Sequence, residues 1–195
     1  DGSLLLRARS GEDITAAYPE LRSLGDALGT TPAVLDGEIL ALDEEGRADF
    51  QLLQSRMGLA HAPARAARMA AQTPAHLVLF DVLHVAGSSL LKVPYSRRRG
   101  RLEGLGLGGP FWSTPSALVG HGAQALAATR EHGLEGLVCK RLDSVYEPGV
   151  RSRAWIKIRN MLSEDVIVGG WLPGKGRLSG LPGALLVGQY AAGRR

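Results

Sequence analysis

The chain has 195 residues, 45% of them hydrophobic and 22% charged, enough for one large domain or for one domain and part of another. No apolar run approaches the roughly 18–20 residues needed to span a bilayer, which excludes a helical membrane protein. One cysteine, Cys139, excludes an internal disulfide and a zinc–cysteine cluster, and net charge +4 permits an anionic partner without demanding one.

Residues 3–9 alternate as a strand does, with Asp1-Gly2 before them as a hairpin turn. Ser10-Gly11-Glu12-Asp13 is a turn. Ala17, Leu21, Leu24 and Leu28 follow at i, i+4, i+7 and i+11, the face of a helix that Gly29 stops. Residues 33–42 form the next strand, on which Asp36 and Glu38 share a face by parity. Two carboxylates on one face repel unless a cation or a metal lies between them, or unless one caps a turn or faces water. A helical stretch starts near Asp49, with Phe50, Leu53 and Met57 as its apolar stripe, and its Ala- and Arg-rich continuation over residues 61–74 is helical before Pro74. Residues 76–85 are the most apolar strand and belong at the centre of a sheet, where Phe80 reads by default as core.

Ser96 is a plausible N-cap for a helix whose Arg97, Arg98, Arg99 and Arg101 meet either solvent or phosphate. A further helix spans roughly 121–132 and is closed by Gly133. It leads into the strand Glu135-Gly136-Leu137-Val138-Cys139-Lys140-Arg141, answered by Trp155-Ile156-Lys157-Ile158-Arg159. Period two puts Trp155, Lys157 and Arg159 on one face of the latter and the isoleucines on the other. Cations in a row suit an anion, most often phosphate, and Glu135 offers a hard oxygen for Mg2+. The same alternation also fits a solvated sheet face. Glu135 and Lys140 are five apart; sharing a face requires a bulge at Gly136 or a Glu135 that precedes the strand. Beyond Asn160, residues 164–171 and 183–190 read as two strands around a Gly/Pro-rich hairpin, too little to close a barrel. The five histidines show no metal-ligand spacing.

Five short motifs in order carry a resemblance that runs through nearly the whole chain. They are Arg9-Ser10-Gly11, Leu35-Asp36-Gly37-Glu38, Leu79-Phe80-Asp81, Glu135 to Lys140, and Trp155 to Arg159. Tyr146-Glu147-Pro148-Gly149, Arg151-Ser152-Arg153 and Val168-Gly169-Gly170-Trp171 extend it. Together they resemble the nucleotidyltransferase superfamily of ATP-dependent DNA ligases, and within it the ligase domain of bacterial end-joining DNA ligases. The resemblance implies an α+β fold: an antiparallel-sheet adenylation domain over residues 1–161, followed by the first strands of an OB-fold β-barrel over 162–195.

It also implies roles. Glu38 would contact the ribose, Phe80 would stack on adenine, and Glu135 would bind Mg2+. Lys140, Lys157 and Arg159 would neutralise the AMP phosphate, and Arg9 would lie near the nucleotide and the DNA end. Arg159 stands where the family commonly has lysine; it keeps the charge but forks differently. The implied reaction seals nicked or broken double-stranded DNA with ATP, through lysyl-AMP and DNA-adenylate, in a monomer working in the bacterial cytoplasm on nucleoid DNA. The nucleophilic lysine of a Lys-x-Asp-Gly motif is absent: Lys92, Lys140, Lys157 and Lys175 all lie in other contexts. With no initial Met and two barrel strands only, the reading expects a chain shortened at both ends and inactive in self-adenylation. The alternatives are an RNA ligase or capping-type nucleotidyltransferase, and a non-catalytic DNA-binding remnant.

Overall fold

The computed structural model describes residues 2–161 and 165–189 and divides the chain into two compact units, Asp1–Asn160 and Met161–Arg195. In the first unit the expected strand at 3–9 is reduced to one bridge, Arg7 to Asp13. The alternation is real, since Leu4 and Leu6 pack against the core, but Leu6 N–H turns to Thr15 Oγ1 at 2.9 Å instead of to a neighbouring strand. Asp1, half of the expected turn, lies outside the described residues.

The long helix expected over 17–28 is broken. Two 3-10 turns, Thr15–Ala17 and Pro19–Arg22, precede a short helix α1 (Ser23–Leu28). Pro19 is the cause: it donates no N–H and pushes Tyr18 out of helical conformation, to φ −129°, ψ 63°. The predicted stripe is nonetheless buried at Ala17, Leu21 and Leu24, and Gly29 ends α1 at φ +59°.

Strand β1 (Ala33–Ala41) precedes helix α2 (Phe50–Arg56) and helix α3 (Pro63–Gln72). Asp49 caps α2, its carboxylate accepting from the N–H groups of Gln51 at 2.7 Å and Leu52 at 3.0 Å. Strand β2 (Ala75–Val85) pairs antiparallel with β1 and is the centre of its sheet, as its apolar run predicts. Two short strands flank it: β3 (Ser88–Ser89) and, parallel to it, β4 (Trp112–Ser113), which two residues of sequence did not announce. Ala75, Leu77 and Leu79 enter the core with Leu21, Leu24, Leu102 and Trp112.

Helix α4 (Tyr95–Gly104) starts one residue before Ser96. Its first N–H groups are satisfied by loop carbonyls, Tyr95 by Ser144 at 2.8 Å and Ser96 by Leu142 at 2.9 Å, so no side-chain cap is used. Helix α5 (Gly122–Glu131) leads to a two-stranded sheet of β5 (Gly136–Lys140) and β6 (Trp155–Arg159).

The second unit contains a hairpin of β7 (Ile167–Pro173) and β8 (Pro182–Gly188). The first strand lies further along than the expected 164–171; Glu164 and Tyr190, at the outer ends of the expected pair, lie outside the described residues. Only Gly170 among the strand residues is half-buried, as fits a hairpin that has no partner sheet among the described residues.

Candidate nucleotide site

Gly37 decides which way β1 faces. A side chain there would meet Val78 O at 2.7 Å and Leu77 Cδ1 at 3.0 Å, so this position points into the crowded core and admits only hydrogen. Its neighbours Asp36 and Glu38 therefore share the opposite face, as their parity predicts. On β2, Leu79 pairs with Gly37 and Asp81 with Asp36, which leaves Phe80 as an extra residue without a partner. Phe80 follows His76 and Val78 on the face away from the core, while Ala75, Leu77 and Leu79 are buried on the other, so it is not the core residue that its apolar strand suggests by default.

The second sheet supplies the cations. β5 and β6 pair without a register shift, from Gly136 opposite Arg159 to Lys140 opposite Trp155. Lys140, Trp155, Lys157 and Arg159 thus lie on one face. Glu135 precedes the strand, the second of the two ways of reconciling it with Lys140. Its carboxylate takes the Lys157 ammonium at 3.0 Å and Arg159 Nε at 3.3 Å. The Lys157 hydrogen bond, its charge and that of Arg159 hold the Glu135 carboxyl below its ordinary range. Gly136 makes this approach possible: its φ is +144°, and a side chain there would lie 2.0 Å from Ile158 O. Asn160 ties the end of β6 to α5, with Nδ2 donating to Thr129 Oγ1 at 3.0 Å and to Leu134 O at 2.8 Å.

The two sheets meet in an aromatic box. Trp155 makes edge contacts with Phe80, Tyr95 and Tyr146, at centroid distances of 5.8, 6.1 and 5.8 Å. The ammonium of Lys140 sits inside, 3.8 Å from the Phe80 ring centre and 3.9 Å from that of Trp155. Its Nζ is buried and has no hydrogen-bond partner. Burial brings the Lys140 amine down from the ordinary 10.5 to about 8, against the pull of Asp81 and Asp36, which favour its charge. Tyr146 donates its hydroxyl to Asp36 Oδ2 at 2.7 Å, and its phenol is pushed upward by burial and by that bond.

Behind the box stands a buried ion pair. Arg98 donates from Nε and Nη2 to the two oxygens of Asp81, both at 2.9 Å, with neither side chain exposed. Its Nη1 reaches Val93 O and Ser144 O, so one guanidinium fastens β2, α4 and the loop after β5. The arginine run is therefore neither a solvated face nor a phosphate-binding one at these positions: Arg98 and Arg99 are buried, and only Arg97 and Arg101 are exposed. Charge within a short run hid an inward-facing stripe.

Of the predicted site residues, the structure brings Phe80 and Lys140 into contact and joins Glu135, Lys157 and Arg159. Glu38 is exposed on β1, opposite Val78. Arg9 is exposed in the turn before Gly11; no hydrogen bond or ion pair among the described residues ties it to the others. Sequence reasoning missed Tyr95, Tyr146 and Arg98 as parts of the site. Tyr146 had a signal, in the Tyr-Glu-Pro-Gly turn; Tyr95 and Arg98 had none. Among the described residues no group of three His, Cys, Asp or Glu side chains could hold a metal by itself.

Residues 1–159 match the family of the ATP dependent DNA ligase domain. The multifunctional non-homologous end joining DNA repair protein LigD of Mycobacterium tuberculosis is 39% identical over 187 residues, covering 96% of this chain and 23% of that protein. A DNA ligase of Thermococcus onnurineus is 32% identical over 194 residues, covering 96% of this chain and 34% of its own length. Among solved structures, a mycobacterial DNA ligase D complexed with ATP and MES is similar with a TM-score of 0.71 at 38% identity, over 96% of this chain and 56% of that one. The ligase domain of M. tuberculosis LigD gives a TM-score of 0.69 at 38% identity, over 98% of this chain and 58% of that one. The chain spans about a quarter to a third of the length of these curated relatives. The chain belongs to the ATP-dependent DNA ligase domain family.

Proposed function

We propose that this chain is the nucleotide-binding core of an end-joining DNA ligase that seals nicked or broken double-stranded DNA at the expense of ATP. The observation that carries the reading is the buried, unpartnered ammonium of Lys140 against Phe80, on the sheet face that also bears Lys157 and Arg159. A buried donor without a partner is costly unless a ligand completes it. Adenine stacks on Phe80, the ribose lies by Glu38, and the phosphate takes Lys140, Lys157 and Arg159. Arg9 lies toward the nucleotide and the DNA end.

The residues suit ATP, which when bound supplies the adenylyl group. They also suit Mg2+, which keeps several waters and takes further ligands from nucleotide phosphates, so that one carboxylate, Glu135, is a sufficient protein donor. Residues 167–188 are the first strands of an OB-fold, a reading supported by the antiparallel hairpin and its exposed apolar side chains, Ile167, Trp171 and Leu186 among them. The protein acts as a monomer on the bacterial chromosome. The matched family and the printed names of the relatives favour DNA over RNA or cap substrates.

The test is equilibrium binding of AMP and ATP to the chain, paired with incubation in α-labelled ATP and Mg2+ and a denaturing gel. Binding without covalent label is expected, because none of the four lysines lies in Lys-x-Asp-Gly. No nucleotide binding at all would refute the assignment of the site, and label on the chain would refute the reading that none of its four lysines is the nucleophile.

A further inference from the structure

We infer that Lys140 is a specificity-determining residue that makes base stacking conditional on a phosphate, so that the site accepts nucleotides and refuses bare nucleosides. The inference rests on the reading that adenine stacks on Phe80. The Lys140 ammonium lies 3.8 Å from the centre of the Phe80 ring. Stacked aromatic rings have centroids roughly 4.5–7 Å apart, so a base on that face and this ammonium claim the same space. One of them must leave.

The ammonium is held where it is by more than one ring. Trp155 lies 3.9 Å and Tyr95 5.1 Å from it, and the negative charges of Asp36 and Asp81 favour its protonated form. No hydrogen bond fixes it, so it is attracted but not locked. A nucleoside that displaces it breaks these cation–π contacts and offers the ammonium nothing in return. A nucleotide breaks the same contacts and offers a phosphate on the face where Lys157 and Arg159 already stand. The same lysine therefore opposes the base and rewards the phosphate: both ligands meet the cost of displacing it, and only the nucleotide offsets that cost.

The experiment compares adenosine and AMP binding to the 195-residue chain and to Lys140→Ala, Lys140→Gln and Lys140→Arg, with melting curves to confirm folding. The Gln variant keeps most of the stem and loses the charge, so it serves if the Ala variant does not fold. Both neutral variants should bind adenosine more tightly than the parent, by about fivefold at the least and up to about thirtyfold, the range from a partly wet to a desolvated cation–π contact, while AMP binding weakens. Lys140→Arg should restore discrimination. Adenosine affinity unchanged or lower in the neutral variants overturns the inference, since simple loss of packing moves it that way. Phe80→Ala separates the underlying reading: if adenosine and AMP bind it as they bind the parent, or if neither binds any variant, the base does not stack on Phe80 and the site assignment itself fails.

Discussion

Arg98 and Asp81 face each other through two hydrogen bonds of 2.9 Å, both side chains fully buried, one from helix α4 and one from strand β2. Removing either partner leaves a charge in the interior without its counterpart, which costs roughly 3–5 kcal/mol. Arg98→Met and Asp81→Leu should therefore each shift the urea midpoint steeply downward, and the double variant should recover part of the loss. A double variant as unstable as the sum of the singles would mean that the main-chain bonds of Arg98 to Val93 and Ser144 matter more than the ion pair.

Lys140 makes stability depend on pH in a definite direction. Its amine titrates at about 8 in the folded chain against an ordinary 10.5. Between those values the unfolded chain binds a proton that the folded chain does not, so stability rises as pH goes from 8 toward 10 and levels off below 8. Tyr146 and Tyr95, both raised from an ordinary 10.0 by burial, act oppositely above pH 10. Denaturant midpoints measured from pH 7 to 10 should climb in the parent and lie flatter in Lys140→Met.

The strand pair β5–β6 depends on one hydrogen atom. Gly136→Ala places a methyl group 2.0 Å from Ile158 O at a φ of +144°. The strain, about 1–3 kcal/mol for the backbone alone, should open the pairing and withdraw Glu135 from Lys157. Amide hydrogen exchange reads this directly: protection at Leu137, Cys139, Ile156 and Ile158, the hydrogen-bonded pairs of the ladder, should fall in the variant while protection along β2 persists. Uniform loss across both sheets would show that the two unfold as one.

At Lys157 and Arg159 the geometry separates function from stability. Both side chains are largely exposed, and their pairing with Glu135 is on the surface, where ion pairs contribute little. Lys157→Ala should leave the melting temperature nearly unchanged and weaken AMP binding about tenfold, the worth of one charge-assisted hydrogen bond. The loss should shrink as salt is raised. Arg159→Lys should retain binding; a large defect there would show that the forked guanidinium contributes more than charge.

Much of the fold could be read from the sequence, for physical reasons that differ by element. Strand β2 announces itself by its apolar run, and β6 and the Asp36/Glu38 face of β1 by alternation with period two, both local properties visible without knowing the neighbour. Helix α2 is legible because Asp49 carries its own cap. The helix at 17–28 was misread because the stripe of Ala17, Leu21 and Leu24 is satisfied equally by 3-10 turns, and Pro19 settles which. The box was illegible. Phe80, Tyr95, Lys140, Tyr146 and Trp155 come from separate segments, and their meeting depends on register, which no single segment states. The inward turn of Arg98 depends likewise on Asp81, seventeen residues away.

The unpaired place of Phe80 in β2 has a consequence for variation at this position. Leu79 and Asp81 already find adjacent partners in Gly37 and Asp36, so the β1–β2 ladder closes without residue 80. The sheet would be more regular if that residue were deleted. The ladder makes no demand on this side chain; what constrains it is the box, through Trp155 and the Lys140 ammonium, and a library randomised at position 80 would sort by what that box and its ligand accept together.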